Sequence, residues 1–123
     1  MERSAFRFYV SQKQRRITRY LPDGTGQAYN LSNTNELLGI DSIDGVKTGR
    51  TAAAGPCLIL SAARPPESIL NPDGSHTITP RRLIVVTLNS PNRFGESAYL
   101  LRRGWQQYDA WAAKGRPLGK GNE

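Results

Sequence analysis

Residues 44–62, DGVKTGRTAAAGPCLILSA, decide how this chain is read. One strand begins near Val46, and a second runs from Cys57 to Ala63 after the Gly55-Pro56 turn signal. The first opens on Lys47-Thr48-Gly49, in a chain whose positive charge comes mostly from arginine. A strand carrying those residues at a sheet edge has specific chemistry. Lys47 presents a fixed cation and Thr48 a hydroxyl to a carboxylate. Gly49 leaves the strand flat, so an extended peptide can pair with it. The backbone N–H of Arg50 then supplies one donor of an oxyanion hole. Taken alone, the triplet reads better as a surface lysine ahead of a strand.

The flanking sequence supplies the frame. Arg15–Tyr20 and Gln27–Leu31 lie either side of Pro22-Asp23-Gly24-Thr25-Gly26, which reads as a small hairpin. Asn33–Leu38 reads as a turn or short helical connection. Arg64–Pro80, with four prolines and an Asn-Pro-Asp-Gly turn, reads as an excursion between strands. Arg82–Leu88 (RLIVVTL) is apolar on both faces, Leu83 and Val85 on one, Ile84, Val86 and Leu88 on the other. That pattern predicts a central strand covered on both sides. From about Asn92 to Lys114, Phe94, Ala98, Leu101, Trp105, Tyr108 and Ala112 recur at helical spacing and predict one helix packed on the sheet. One helix covers one face. The other face has no cover within this sequence, and open faces and edges are liabilities.

The predicted fold class is therefore α+β: a partial antiparallel sheet of about three strands plus a small hairpin, packed on one C-terminal helix. With 123 residues there is room for one domain, expected over 1–113, followed by a disordered tail over 114–123. Cys57 is the only cysteine and sits in an apolar run, so it reads as a small buried hydrophobe. His76 is the only histidine, which argues against a zinc site or a Ser-His-Asp triad. No metal or other cofactor is expected. No run has membrane-spanning length, and no signal-peptide pattern opens the sequence. The formal charge of +7 raises the possibility of a nucleic-acid partner. No helix-turn-helix, zinc-finger or aromatic RNA-binding pattern accompanies it, so the arginines read as solvated surface.

A longer ordered series sharpens the reading. Asn33-Thr34-Asn35-Glu36-Leu37-Leu38, Asp44-Gly45-Val46-Lys47-Thr48-Gly49 with Thr51, Ala54-Gly55 with Cys57-Leu58, Ser61-Ala62, Arg82–Val86, and Leu100-Leu101 with Gly104-Trp105 and Tyr108 follow one another along most of the chain. In that order they resemble the serine-type D-alanyl-D-alanine carboxypeptidases, the low-molecular-weight penicillin-binding proteins. Thr51 and Ala54-Gly55 favour this family over the class A β-lactamases, which share only the triplet. The resemblance implies a β-lactamase/transpeptidase-like fold and an acyl-serine mechanism on peptidoglycan stem peptides ending in D-Ala-D-Ala, with β-lactams trapping the same serine. It makes Lys47, Thr48 and Gly49 the third active-site motif and Arg50 the oxyanion donor. Its members work outside the cytoplasmic membrane.

The same resemblance exposes a gap. The family also needs S-x-x-K and S-x-N motifs. The lysine takes the proton of an otherwise poor nucleophile, which arginine cannot do. Ser4, Ser61 and Ser97 are followed at the required spacing by Arg7, Arg64 and Leu100. Ser90-Pro91-Asn92 spells S-x-N but follows the triplet instead of preceding it, and reads as a helix start. The sequence thus matches the C-terminal part of the catalytic domain, and the missing N-terminal half, in cis or in trans, is an expected partner. The isolated chain is expected to be inactive. The alternatives are a noncatalytic module that holds peptidoglycan peptides and, more distantly, a basic nucleic-acid binder. Carboxypeptidase and D,D-endopeptidase activities stay open. The excursion Arg64–Pro80 is longer than the family's usual tight hairpin and reads as a surface insertion.

Overall fold

The computed structural model describes residues 3–117. Its elements are α1 (Ser4–Val10), β1 (Gln14–Tyr20), β2 (Gly26–Ser32), β3 (Ile43–Thr51), β4 (Gly55–Leu70), β5 (His76–Thr87) and α2 (Arg93–Ala113). β1 and β2 form one antiparallel sheet, and β3, β4 and β5 form another in that order. The expected α+β plan holds, with α1 as an addition. Nothing in SAFRFYV signals a helix: its N-cap, Arg3, makes no side-chain capping bond, and none of its residues is buried.

Two hairpin tips are chemically the same device. Leu21-Pro22-Asp23-Gly24-Thr25 and Asn71-Pro72-Asp73-Gly74-Ser75 each place glycine at φ 85°. In each, the glycine N–H donates to the carbonyl three residues back, and the aspartate carboxylate accepts the N–H of Thr25 or Ser75 at 2.9 Å. Glycine is needed because an L side chain is disfavoured at that φ. These bonds hold both aspartate carboxyls below their usual range, chiefly through the Thr25 backbone N–H for Asp23 and the Ser75 hydroxyl for Asp73.

The core lies between α2 and one face of the larger sheet. Leu58, Leu60 and Ala62 of β4 are at most 1% exposed and meet Leu101 and Trp105 of α2. Leu83, Val85, Phe94 and Tyr108 pack around them. The predicted helical stripe is thus the buried one. Ser97 completes it by bonding Thr87 of β5 at 2.9 Å, so both buried hydroxyls are satisfied. Asn92 caps α2 by accepting the Gly95 N–H, and Ser90 donates to Glu96 of the first turn. Ser90-Pro91-Asn92 is therefore a helix start.

Two expectations are corrected. Among the described residues Arg82–Leu88 is an edge strand and not a central one; its residues to Thr87 lie in β5, because the hairpins β3–β4 and β4–β5 put β4 in the middle. Among the described residues nothing pairs with its outer side, and Ile84, Val86 and Leu88 are more than half exposed. Nor is Arg64–Pro80 an irregular excursion: β4 and β5 continue through it as a ribbon to Leu70↔His76. The prolines are accommodated because Pro65 and Pro66 sit in the register shift between Arg64 and Glu67, with Pro80 opposite, where no regular ladder bond is required.

The ribbon is tied to α2. Arg64 lies over the Trp105 ring at 4.3 Å and pairs with Asp109 at 2.7 Å. Glu67 pairs with Arg116, in the turn after α2, where Trp111 Nε1 also donates to Pro117 O at 2.9 Å. Of the tail expected over 114–123, residues 118–123 lie outside the described residues.

Candidate functional site

The register of β4 fixes which backbone groups of β3 face outward. In an antiparallel ladder each residue turns its N–H and C=O to the same neighbour, alternately left and right. Pro56 O accepts the Ser90 N–H at 2.9 Å, just beyond β5, so Pro56 and Leu58 turn to β5 while Cys57 and Ile59 turn to β3. Their partners Gly49 and Lys47 are thus engaged with β4. Thr48 and Arg50 turn their N–H and C=O to the open edge. Consistently, the Lys47 ammonium folds over to donate to Thr48 O.

Side chains alternate across the same strand. Thr48 lies opposite Leu58 on the α2 side and is 7% exposed. Its hydroxyl meets that of Thr34, from the turn after β2. Lys47 and Gly49 lie opposite Ile59 and Cys57 on the uncovered face, and both are exposed. A Cβ built on Gly49 meets no atom within 4 Å, so nothing in the described fold requires glycine there. Arg50 is exposed at the end of the strand.

Sequence reasoning missed the groups that brace this edge. Arg93, in the first turn of α2, donates to Gly49 O at 2.9 Å and to Cys57 O at 3.4 Å, and its guanidinium lies 5.0 Å from the Phe94 ring centroid. Arg50, Pro56, Pro91, Asn92, Arg93 and Phe94 line a shallow cleft of about 210 Å³. Arg82 of β5 reaches across β4 on the uncovered face and grips both oxygens of Asp44, at 2.8 and 2.9 Å, while also donating to Ser61 Oγ. Asn35 donates to Gly45 O at 3.3 Å. Residues 44–49 are therefore held from both sides. No local pattern marks Arg93 or Arg82, since their partners lie some forty residues away.

The arrangement suits an anionic, extended ligand. It offers the Lys47, Arg50 and Arg93 cations, outward N–H groups at Thr48 and Arg50, and a flat stretch at Gly49. Other polar residues are accounted for structurally. Ser61 and Ser97 are fully buried and bonded to Arg82 and Thr87, and among the described residues no serine is bonded to a lysine. Cys57 is half-buried, its thiol directed at the Ala54 and Gly55 carbonyls. The His76 ring bonds Ser68 at 3.0 Å on the distal ribbon. No group of three or more His, Cys, Asp or Glu among the described residues is placed to hold a metal, and no described helix is long and apolar enough to cross a membrane.

No protein-family model matches the sequence, and no curated protein matches it. Solved structures do. Two variants of the Streptomyces K15 DD-transpeptidase align with a TM-score of 0.64 at 27% identity, over 86% of this chain and 38% of theirs. A third variant of the same enzyme gives a TM-score of 0.57 at 26% identity, over 84% of this chain and 36% of that one. The chain spans well under half the length of these structures, as a C-terminal portion of such a domain does. In fold it is similar to part of these DD-transpeptidases, with two antiparallel sheets and a C-terminal helix as in a partial transpeptidase-like fold.

Proposed function

We propose that the β3 edge from Lys47 to Arg50 is the substrate-binding half of a serine D,D-peptidase site that takes peptidoglycan stem peptides ending in D-Ala-D-Ala. The observation that carries this is the open edge at Gly49, flat, exposed and flanked by Lys47 and Arg50. An extended peptide adds to it as a further strand. Arg50 N–H meets the scissile carbonyl as an oxyanion donor, and the cations attract the terminal carboxylate. The nucleophilic serine and its lysine base come from a complementary segment, since these 123 residues contain no S-x-x-K. That segment also covers the face of Ile59, Ile84 and Val86, and the assembled enzyme works outside the cytoplasmic membrane.

On this reading the chain alone is not acylated. Fluorescent penicillin is expected to leave no covalent label on it, and a labelled serine would overturn the proposal. Reversible binding of a D-Ala-D-Ala peptide, lost in Lys47→Ala, is the positive arm. Such binding without any complementary segment in the source organism would favour the second reading, a noncatalytic peptide-holding module on the same edge. Salt-sensitive retention on DNA at physiological ionic strength would instead revive the nucleic-acid reading.

A further inference from the structure

The formal charge of +7 is not spread evenly over the chain. Six of its 17 cations and none of its 10 acids lie between Arg3 and Pro22, which leaves eleven cations against ten acids everywhere else. This stretch holds α1 and β1, and no residue of α1, β1 or β2 is buried. A two-stranded hairpin with no core beneath it gains little by folding alone. Here it is tied to α1 as one unit. The Asn33 N–H donates to Lys13 O at 2.8 Å, and the Asn33 side-chain amide donates to Val10 O and Gln12 O at 3.2 and 3.1 Å.

The hairpin register sorts its side chains. The pairs Arg15↔Leu31, Ile17↔Tyr29 and Arg19↔Gln27 share one face. Arg15 carries that face onto α1, its guanidinium 4.8 Å from the Tyr9 ring centroid and 5.7 Å from that of Phe8. Ile17, Tyr29 and Leu31 are 41%, 42% and 50% exposed, and Phe8 and Tyr9 are more open still. The face is apolar along its middle, cationic at Arg15 and Arg19, and carries no acid. This chemistry discriminates among anions. A nucleic acid stacks its bases on open rings, but Arg15 already occupies a face of the Tyr9 and Phe8 rings, and Ile17 and Leu31 offer a phosphate chain nothing. An anionic lipid surface uses both kinds of group: apolar and aromatic side chains enter the boundary between headgroups and acyl chains, while arginines meet the phosphates. We infer that the β1–β2 hairpin, with the adjoining rings of α1, is a docking surface for an anionic phospholipid membrane. Ile17, Tyr29 and Leu31 sit at its interface, and Arg15 and Arg19 pair with lipid phosphates. This surface is separate from the Lys47–Arg50 edge and from the face of Ile59, Ile84 and Val86, so it stands or falls apart from the peptide-binding reading.

The experiment is co-sedimentation of the chain with phosphatidylcholine vesicles that either contain or lack phosphatidylglycerol. Binding is expected to the anionic vesicles, to weaken as salt rises, and to be slight without phosphatidylglycerol. Arg15→Gln combined with Arg19→Gln is expected to weaken it about thirtyfold. Ile17→Ser combined with Leu31→Ser, which keeps every charge, is expected to weaken it about tenfold. Failure of the unsubstituted chain to bind anionic vesicles would overturn the proposal. So would full binding by the Ile17→Ser, Leu31→Ser variant, which would make the surface a general polyanion binder, or tighter retention on duplex DNA than on vesicles. A measurement on the unsubstituted chain guards against misfolded variants. In bicelles containing phosphatidylglycerol and a spin-labelled lipid, the methyl resonances of Ile17 and Leu31 should lose intensity while those of Ile84 and Val86 keep theirs. Loss at Ile84 and Val86 instead would place the membrane on the open sheet face and overturn the assignment.

Discussion

The two faces of the β3–β4–β5 sheet are made by alternate residues of the same strands, yet they are opposite in character. On the α2 side Leu58, Leu60 and Ala62 are sealed; on the other, Ile59 is 38% exposed, Ile84 59% and Val86 53%. Both are apolar, so hydrophobicity does not separate them; the presence of a packed neighbour does. The sealed face makes the fold, and the open face, which carries Lys47 and Gly49, keeps its surface for something else.

Substitutions can break this comparison. The largest effect is expected for Leu60→Ala, about 3 kcal/mol of unfolding free energy by urea titration, from lost burial plus a cavity. Ile84→Ala on the open face should cost less than about 1 kcal/mol. Equal losses would show that the open face is packed after all. Next comes Arg82→Leu, about 2 kcal/mol, because it strands the Asp44 carboxylate and the buried Ser61 hydroxyl. On the other face Arg64→Leu, whose partner Asp109 is well exposed, should cost no more than about 1 kcal/mol including the contact with Trp105. Smaller still, Val86→Lys should change stability by no more than about 0.5 kcal/mol while reducing self-association in sedimentation experiments. A loss near 2 kcal/mol would deny that this face is uncovered.

The smallest effect concerns the hairpin tips, remote from both faces. The carboxyls of Asp23 and Asp73 are held below their usual value of 3.8. A lowered native value favours the folded chain above the unfolded value, and that contribution fades as pH falls through the native one. The Thr25 and Ser75 amide resonances should therefore titrate below about pH 4, with no matching change in β3. Titration at the ordinary carboxylate value would contradict the tip geometry.

Much of this was legible in the residues, and the rest failed for physical reasons. The stripe from Phe94 to Ala112 and the Pro-Asp-Gly turns are local patterns, and each forms the element it spells. Arg82–Leu88 announced both the strand and a face without cover among the described residues; its place at the edge follows from the strand order, which an apolar pattern does not encode. Pro65, Pro66 and Pro80 read as breakers singly, but proline is harmless where three of them oppose one another across a register shift. At the site, Lys47–Arg50 stood out by resemblance. Arg93 and the Thr34–Thr48 pairing are products of folding, since each bond joins segments that no sequence window holds together.

The twin turns have a kinetic consequence. Each closes its ribbon within residues 21–25 or 71–75, and β3 joins β4 through residues 52–54, so the entropy lost in bringing paired strands together is small. Every strand pairing in the described chain is a hairpin between consecutive strands, and α2 follows directly on the strands it covers. Such a chain can zip up from its own loops, one register at a time, with little searching between distant segments. The strand registers of the described chain are thus set by its own loops, and a complementary segment would add to pairings that it has no need to thread.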